Sequence, residues 1–475
     1  MDVLIICANR HRFPAPVIPY GACLVAEAAV QNGHRVRMLD LMFRNDPLRA
    51  VEEALQNFPA GVVGLSVRNL DNNDFQAPVE FVSELAAIAA AVRRLTPAPL
   101  VLGGPAVGVM PGALLRLTGA TCAVLGDGEI AFPALLRNLE NSGNLSQTPR
   151  LAWLENGRYR VSNGAPCRLS GFPLPVRFSR WVDLRAYRAN LAAAPIQSRR
   201  GCPFACVYCT YGISEGREYR LFPPGEVAAA VRQMSAQGCR DIEFVDNVFN
   251  APYDHALAVC EGLAMVGHRS RLHTVELNPA FVDDRLLTAM ARAGFAGVGL
   301  TAESASDNVL AGLRKGYGAQ EVVRAAAAVR RCPLPCFWLF LLGGPGETRE
   351  TVTESLNFAR GILRPGDVAF FNVGLRIYPG TELEEIARRQ GLLSMTPPEM
   401  LAPVFYFSPG LDLDWTLAQV RRAAAENLAI IHSGSLSHPW LPAVNRLAHR
   451  LRLRQPLWRH TTRIRRVVRA LGRDI

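Results

Sequence analysis

Cys202, Cys206 and Cys209 stand in Arg200-Gly201-Cys202-Pro203-Phe204-Ala205-Cys206-Val207-Tyr208-Cys209, a CxxxCxxC triplet near the middle of a 475-residue chain. A structural zinc site is tetrahedral and takes four protein ligands, whereas a cubane iron–sulfur cluster held by three thiolates keeps one iron free for another donor. That open iron is where chemistry can begin. Gly201 and Pro203 shape a tight loop in which three sulfurs can meet one small inorganic body, the expected [4Fe-4S] cluster. The alternative, a zinc site or plain buried thiols, lacks a fourth Cys or His at zinc-finger spacing.

Such a loop needs a frame. Strand-like runs follow one another from Pro195 to Ser198, Asp241 to Val245, Leu272 to Leu277, Gly297 to Ala302, Cys336 to Leu342 and Val368 to Leu375, with helical segments between them. That alternation predicts a partial (β/α)6 barrel, whose active residues belong at the carboxyl ends of its strands. Upstream, Val3 to Cys7, Val36 to Asp40, Val62 to Val67, Leu100 to Gly104 and Cys122 to Leu125 read as strands, and Tyr20 to Asn32 as a helix closed by Gly33. An α/β, doubly wound, Rossmann-like sheet follows, with its ligand beyond the strands' carboxyl ends. Glycines gather there, in Gly103-Gly104-Pro105 and Gly126-Asp127-Gly128-Glu129, where bare backbone can approach a bulky ligand. The expected domains are 1–145, a linker at 146–190 that is irregular from about Asn141, the barrel at 191–400, and a helical region at 401–475.

Eleven scattered cysteines, with no basic secretory leader in Met1-Asp2-Val3-Leu4-Ile5-Ile6, predict a reducing cytoplasm. No uncharged apolar run reaches the roughly 18 residues needed to span a bilayer. The formal charge of +11 is concentrated at the end: from Leu441 to Ile475 there are ten arginines and one acid, Asp474. Alternation with Leu447, Leu451, Trp458, Ile464 and Val468 suggests a basic amphipathic helix, with two open fates. It could contact anionic lipid or substrate, or it could be a solvated helix packed on the body. No aromatic-basic RNA module accompanies it, so a nucleic-acid partner is not expected.

The cysteine triplet resembles the signature of the radical S-adenosylmethionine superfamily, and the glycine-rich strand ends together with Pro19-Tyr20-Gly21 resemble the cobalamin-binding domain fused to many of its members. The resemblance spans roughly Met1 to Leu401. It implies that the open iron chelates S-adenosylmethionine, with Tyr208 beside the adenine. It further implies that Asp246 and Asn247 receive the amino group, that Glu303 and Ser304 reach the ribose, and that Arg314 and Lys315, in Leu313-Arg314-Lys315-Gly316, face the carboxylate. Gly344, Pro345 and Gly346 would let the main chain meet the adenine. Cobalamin would lie against Tyr20, Gly21, Ser66, Asn69, Gly103, Gly104, Gly126, Asp127, Gly128 and Glu129.

Related cobalamin proteins use a DxHxxG motif to ligate cobalt. Here that loop reads Asn9-Arg10-His11-Arg12-Phe13-Pro14, so cobalamin without a histidine ligand is expected and His11 reads as a solvated loop residue. Ser66-Val67-Arg68-Asn69-Leu70-Asp71-Asn72 resembles the tryptophan 2-methyltransferase subgroup, which implies Arg68 at the lower cobalt face. The other reading of Arg68 is an ion pair with Asp71 or Asp74. Glu276 points into the barrel mouth, as a base or as an ordinary salt-bridged carboxylate.

Together these imply a methyltransferase that carries a methyl group from S-adenosylmethionine through methylcobalamin to a carbon or phosphorus centre of a small molecule or natural-product intermediate. Arg68 and Glu276 favour polar transfer over a 5′-deoxyadenosyl radical. The rivals are a non-methylating radical reaction of the same architecture, such as oxidative cyclisation or ring contraction, and a cobalamin- or RNA-binding regulator. A monomer served by an external reductant is expected. Cys332 and Cys336 form a further CxxxC, but two sulfurs are too few for an auxiliary cluster. Pro403-Val404-Phe405-Tyr406-Phe407 and Trp415 read either as an aromatic pocket or as core.

Overall fold

The computed structural model describes residues 1–141, 144–162, 169, 171, 173, 176–436 and 439–470. No helix among them is long and apolar enough to cross a membrane. β1 (Asp2–Cys7), β2 (Arg35–Asp40), β3 (Val62–Ser66), β4 (Leu100–Gly103) and β5 (Cys122–Val124) run parallel in the spatial order β2-β1-β3-β4-β5. Val3, Ile5 and Cys7 enter one core, and Leu4 and Ile6 the other. Burial on both faces is why this strand reads as an unbroken apolar run rather than an alternating one. Strand order reverses between β1 and β3, which opens a crevice at their carboxyl ends.

The irregular linker expected from about Asn141 proves partly ordered. β6 (Leu151–Glu155) and β7 (Arg158–Val161) form a hairpin that adds antiparallel to β5. Its turn is Asn156-Gly157, both at positive φ, the residue pair that a two-residue hairpin favours. Exposure of all of β7 removed the apolar signal that would have marked it as a strand.

The second half begins with β8 (Ala194–Ile196). A short antiparallel pair, β9 (Arg199–Arg200) and β10 (Arg220–Leu221), then brackets the cysteine loop. β11 (Asp241–Phe244), β12 (Arg271–His273), β13 (Val298–Glu303), β14 (Cys336–Leu342) and β15 (Val368–Val373) complete the six expected parallel strands. Bridges from Leu272 to Phe295 and from Leu277 to Leu300 join β8-β11-β12 to β13-β14-β15 in one curved sheet. At this joint a Cβ on Gly299 would collide with the Val275 backbone, so only glycine allows the strands to meet.

After β16 (Leu375–Arg376) and β17 (Phe405–Tyr406), an antiparallel pair, comes β18 (Ile430–His432), a seventh parallel strand beside β15. The helical expectation for 401–475 missed it, because three residues carry no periodicity. The helix Thr461–Ala470 packs on the body. Arg465 is buried and donates to the carbonyls of Ala424 at 3.1 Å, Leu428 at 3.1 Å and Ile430 at 2.6 Å. Arg469 donates to Ala425 at 2.9 Å, so both guanidinium groups cap the carboxyl end of the helix Leu413–Glu426. Arg473 and Asp474 lie outside the described residues.

Candidate active site

The cysteine loop is shaped by its backbone. Gly201 has φ +79°, and a Cβ there would strike the Glu218 carbonyl. Cys202 N–H donates to Gly216 O at 3.0 Å, Cys209 N–H to Cys206 O at 3.1 Å and Val207 N–H to Leu313 O at 3.2 Å. Glu215 anchors the same loop, accepting from Gly201 N–H and from the Asn247 amide, each at 3.0 Å. Cys202, Cys206 and Cys209 consequently face one cavity of ≈ 430 Å³. Burial raises the Cys202 thiol and pushes Cys209 up to about 12, so both favour the neutral thiol over the thiolate. Among the described residues no three His, Cys, Asp or Glu side chains converge to hold a single metal ion. Each described cysteine is free, Cys332 and Cys336 included.

Tyr208, Glu303 and Lys315 form a triad on the cavity wall. Lys315 Nζ lies 2.8 Å from Glu303 Oε1 and 3.0 Å from the Tyr208 hydroxyl, which itself donates to Glu303 at 2.8 Å. Burial opposes the charge on Lys315, but Glu303, Tyr208, Tyr317 and Cys206 together outweigh it and raise its pKa well above the ordinary range. Of the two cations expected to face the S-adenosylmethionine carboxylate, Arg314 turns outward at φ +53° and pairs with Glu382. The cation in the cavity is its neighbour Lys315.

Asp246 and Asn247 also divide. Asp246 is locked under β8 and β9, accepting from Ser198 N–H at 2.9 Å and Arg199 N–H at 3.0 Å, and burial pushes it up to about 6. Asn247 lines the cavity, and its Oδ1 is buried with no hydrogen-bond partner. An orphaned acceptor of this kind fits a ligand's ammonium group. Ser304 bonds Ser355 and Ser306 rather than the cavity. Gly344, Pro345 and Gly346 pack against Leu313, Gly312 and Asn308, and so fix the turn that presents Lys315.

The first domain supplies the opposite face. His11, Phe13 and residues 72–74 line the same cavity from the β1 and β3 loops. His11 is not a solvated residue: it lies between Phe13 and Phe81, and burial with Arg68 nearby keeps its ring neutral. Asp71 does not pair with Arg68, because Arg376 of the second domain takes it at 2.8 Å. Arg68 is exposed and is not among the residues that line the cavity. Surrounding protein lowers its pKa, an effect that Tyr211 and Glu243 across the cleft partly offset. Asn69, its amide turned to suit both groups, bonds the Arg68 guanidinium at 3.2 Å and its carbonyl at 3.0 Å. Ser66 accepts from Ala8 N–H at 3.1 Å, which holds the β1 and β3 loops together.

A Cβ on Gly21, Gly103 or Gly126 would meet nothing within 4 Å, so these glycines border open space of the kind a flat macrocycle needs. Gly104 has φ +104° and abuts the Val67 carbonyl, and Gly128 abuts Val25. The carboxylates beside them are already engaged. Asp127 meets Arg200 at 2.8 Å and Arg220, and Glu129 meets Arg200, in a buried cluster between the domains. Burial works against the Asp127 carboxylate, but the two arginines hold it below the usual range. Tyr20 lies in this seam, where burial raises its hydroxyl. Arg200 and Arg220 were invisible as functional residues in the chain; only their position flanking the cysteine loop hinted at it.

Glu276 stands in the cavity with Glu303 and Lys315. Burial and then Glu303 push its carboxyl up to about 8, leaving it protonated at neutral pH. Apolar walls come from Phe13, Phe204, Leu339, Phe340 and Phe370. The aromatic run at 405–407 is not among them: Phe405 and Phe407 pack on Phe75 at 5.3 and 6.4 Å, and Trp415 lies beside Arg349.

Comparison with known proteins agrees with this geometry. Residues 6–136 match the B12 binding domain and residues 196–359 the radical SAM superfamily. The tryptophan 2-C-methyltransferase of Streptomyces laurentii is 25% identical over 444 residues, covering 78% of this chain and 72% of that protein. An uncharacterized methyltransferase of Pyrococcus horikoshii is 25% identical over 385 residues, covering 79% of each chain. The fold of the radical S-adenosylmethionine methyltransferase TsrM from Kitasatospora setae, solved with cobalamin and a [4Fe-4S] cluster, superposes with a TM-score of 0.86 at 24% identity over 99% of both chains. The cavity bounded by a three-cysteine loop and a doubly wound sheet thus lies between the two domain types named, and the chain is an enzyme that carries a B12-binding domain ahead of a radical SAM domain.

Proposed function

We propose that this enzyme methylates a nucleophilic carbon of a small molecule, using S-adenosylmethionine and cobalamin. The carrying observation is one cavity whose wall holds the three cysteines, the Tyr208–Glu303–Lys315 triad and the β1 and β3 loops of the first domain. Cys202, Cys206 and Cys209 would hold the cluster, and Gly21, Gly103 and Gly126 would admit the corrin. When bound, these groups supply an open iron and a methyl-carrying cobalt, chemistry that no side chain provides.

The chain's own residues do the rest. Asn247 Oδ1 would accept from the ammonium of S-adenosylmethionine, Lys315 would meet its carboxylate, and Glu303 would reach the ribose. Arg68, a cation with no free electron pair to give a metal, would stand on the cobalamin side of the cleft without serving as a ligand. The phenylalanine walls suit a flat aromatic substrate, tryptophan being the substrate named for the S. laurentii relative. Glu276, once ionised, removes the proton from the attacked carbon. The reading places the enzyme in a reducing compartment with an external reductant. Anaerobic, reconstituted protein should release S-adenosylhomocysteine and a product heavier by one methyl group. Substrate-dependent 5′-deoxyadenosine with no methylated product would overturn the proposal.

Proton removal by Glu276 sets a pH dependence. With its pKa raised to about 8, the carboxylate is the minor form at pH 7, so turnover should climb with pH and level off above about 8. Glu276→Gln should lower kcat by roughly 10²- to 10⁴-fold and flatten that limb, as measured in single-turnover assays across pH. A Glu276→Gln profile that still climbs assigns the base elsewhere.

Gly103→Leu separates cofactor binding from folding. A Cβ at this position meets no neighbour within 4 Å in the free protein, so thermal stability should hold. Cobalamin affinity, titrated by absorbance, should fall by roughly 10- to 100-fold, the scale of an overpacked contact.

A further inference from the structure

At the opposite ends of the barrel strands, the starts of β8, β11 and β12 border a second cavity of ≈ 340 Å³. Its wall carries Arg188, Arg240, Arg271, His449 and Arg452 against a single acid, Asp241. Asp241 is satisfied already, accepting from Arg271 at 2.7 and 2.6 Å and bonded to His273 at 3.0 Å. Among the described residues, no carboxylate pairs with Arg188, Arg240 or Arg452. Gln455, only 8% exposed, also lines the cavity, and its side-chain nitrogen is buried without a hydrogen-bond partner. Leu184, Leu191 and Leu453 form an apolar side.

Arg452 occupies an unusual backbone position. It follows the helix Leu441–Arg450 at φ +55°, with its N–H donating to His449 O at 3.0 Å and Leu453 N–H donating to Ala448 O at 2.9 Å. That is the helix-ending pattern in which glycine is favoured, so an arginine here carries strain that glycine would not. The strained residue is the one that brings a guanidinium to the cavity.

We propose that this cavity binds a small organic phosphate of about nucleotide size. Guanidinium forks match phosphate oxygens two at a time, and three arginines that no described carboxylate pairs suit a dianionic or trianionic head. The Gln455 amide supplies a directed donor from the floor. The leucines take an apolar body, which inorganic phosphate alone would leave unfilled.

Calorimetric titration of the full-length reconstituted enzyme with ADP and with inorganic pyrophosphate tests this. Saturating S-adenosylmethionine is present throughout, to occupy any adenosine site elsewhere. ADP should bind more tightly than pyrophosphate. Arg240→Ala and Arg452→Gly should each weaken it roughly 10- to 100-fold, the range of one charge-assisted hydrogen bond. Arg452→Gly should also leave the ligand-free Tm unchanged or higher, since it relieves strain, which distinguishes a lost site from a damaged fold. No binding at millimolar ADP, or affinity unchanged in both variants, would overturn the site. Pyrophosphate binding as tightly as ADP would overturn the organic body.

Discussion

Cys206→Ala should abolish turnover, by at least about 10³-fold, while leaving cobalamin binding intact. The triplet acts as a unit, and removing one member of such a unit costs nearly as much as removing all. Two thiolates cannot hold a cubane against reduction and exchange, so iron content and the broad visible absorption of the cluster should fall together. Cobalamin absorbance should persist, because the glycines proposed to border its crevice belong to β4, to the loop after β5 and to the helix after β1, none of which contains the cysteine loop. Position 206 suits the test because its side chain faces the cavity and the loop's backbone bonds remain. Stoichiometric zinc in the wild-type protein, or full iron and turnover in the variant, would remove the basis of the proposed chemistry.

The second large effect is on stability. Arg376 and Asp71 are 305 positions apart in the chain, and their side chains are 3% and 0% exposed where β16 meets the β3 loop. Arg376 further donates to Met400 O at 2.7 Å and Ile377 O at 2.6 Å. Removing one partner of a buried pair strands the other charge without water or counter-ion. Arg376→Ala should therefore cost about 3–5 kcal/mol in denaturant unfolding. A double variant, Arg376→Met with Asp71→Leu, should recover much of that loss, because it strands no charge. Cofactor affinity should fall in the single variant, since this pair holds the β3 loop, with Arg68 and Asn69, against the barrel. A loss below about 1 kcal/mol would mean that the seam is held by the Arg200–Asp127–Glu129 cluster alone.

Some of the site was legible residue by residue. The three cysteines lie within eight positions, so covalent geometry alone brings them together, and burial on both faces turns central strands such as β1 and β3 into apolar runs. Other assignments failed where neighbours in sequence part in space. Arg314 and Lys315 are adjacent, yet the positive φ at Arg314 sends it to Glu382 and its neighbour to the cavity. Asp246 and Asn247 part in the same way, one beneath the sheet and one in the cavity. Asp127 and Glu129 were read as lining a cofactor, and their carboxylates serve Arg200 and Arg220 from the other domain.

Spacing and composition by themselves therefore determined which inorganic body could be held, the two sheet types and the strand ends where ligands gather, because each depends on residues close in the chain. Only the tertiary structure decided which polar group of each strand end enters the cavity, that β18 completes the sheet, and that Arg465 and Arg469 of the tail cap a helix of the body. Those choices rest on contacts between segments far apart in the chain. Their desolvation and pairing energies do not exist until the domains close on one another.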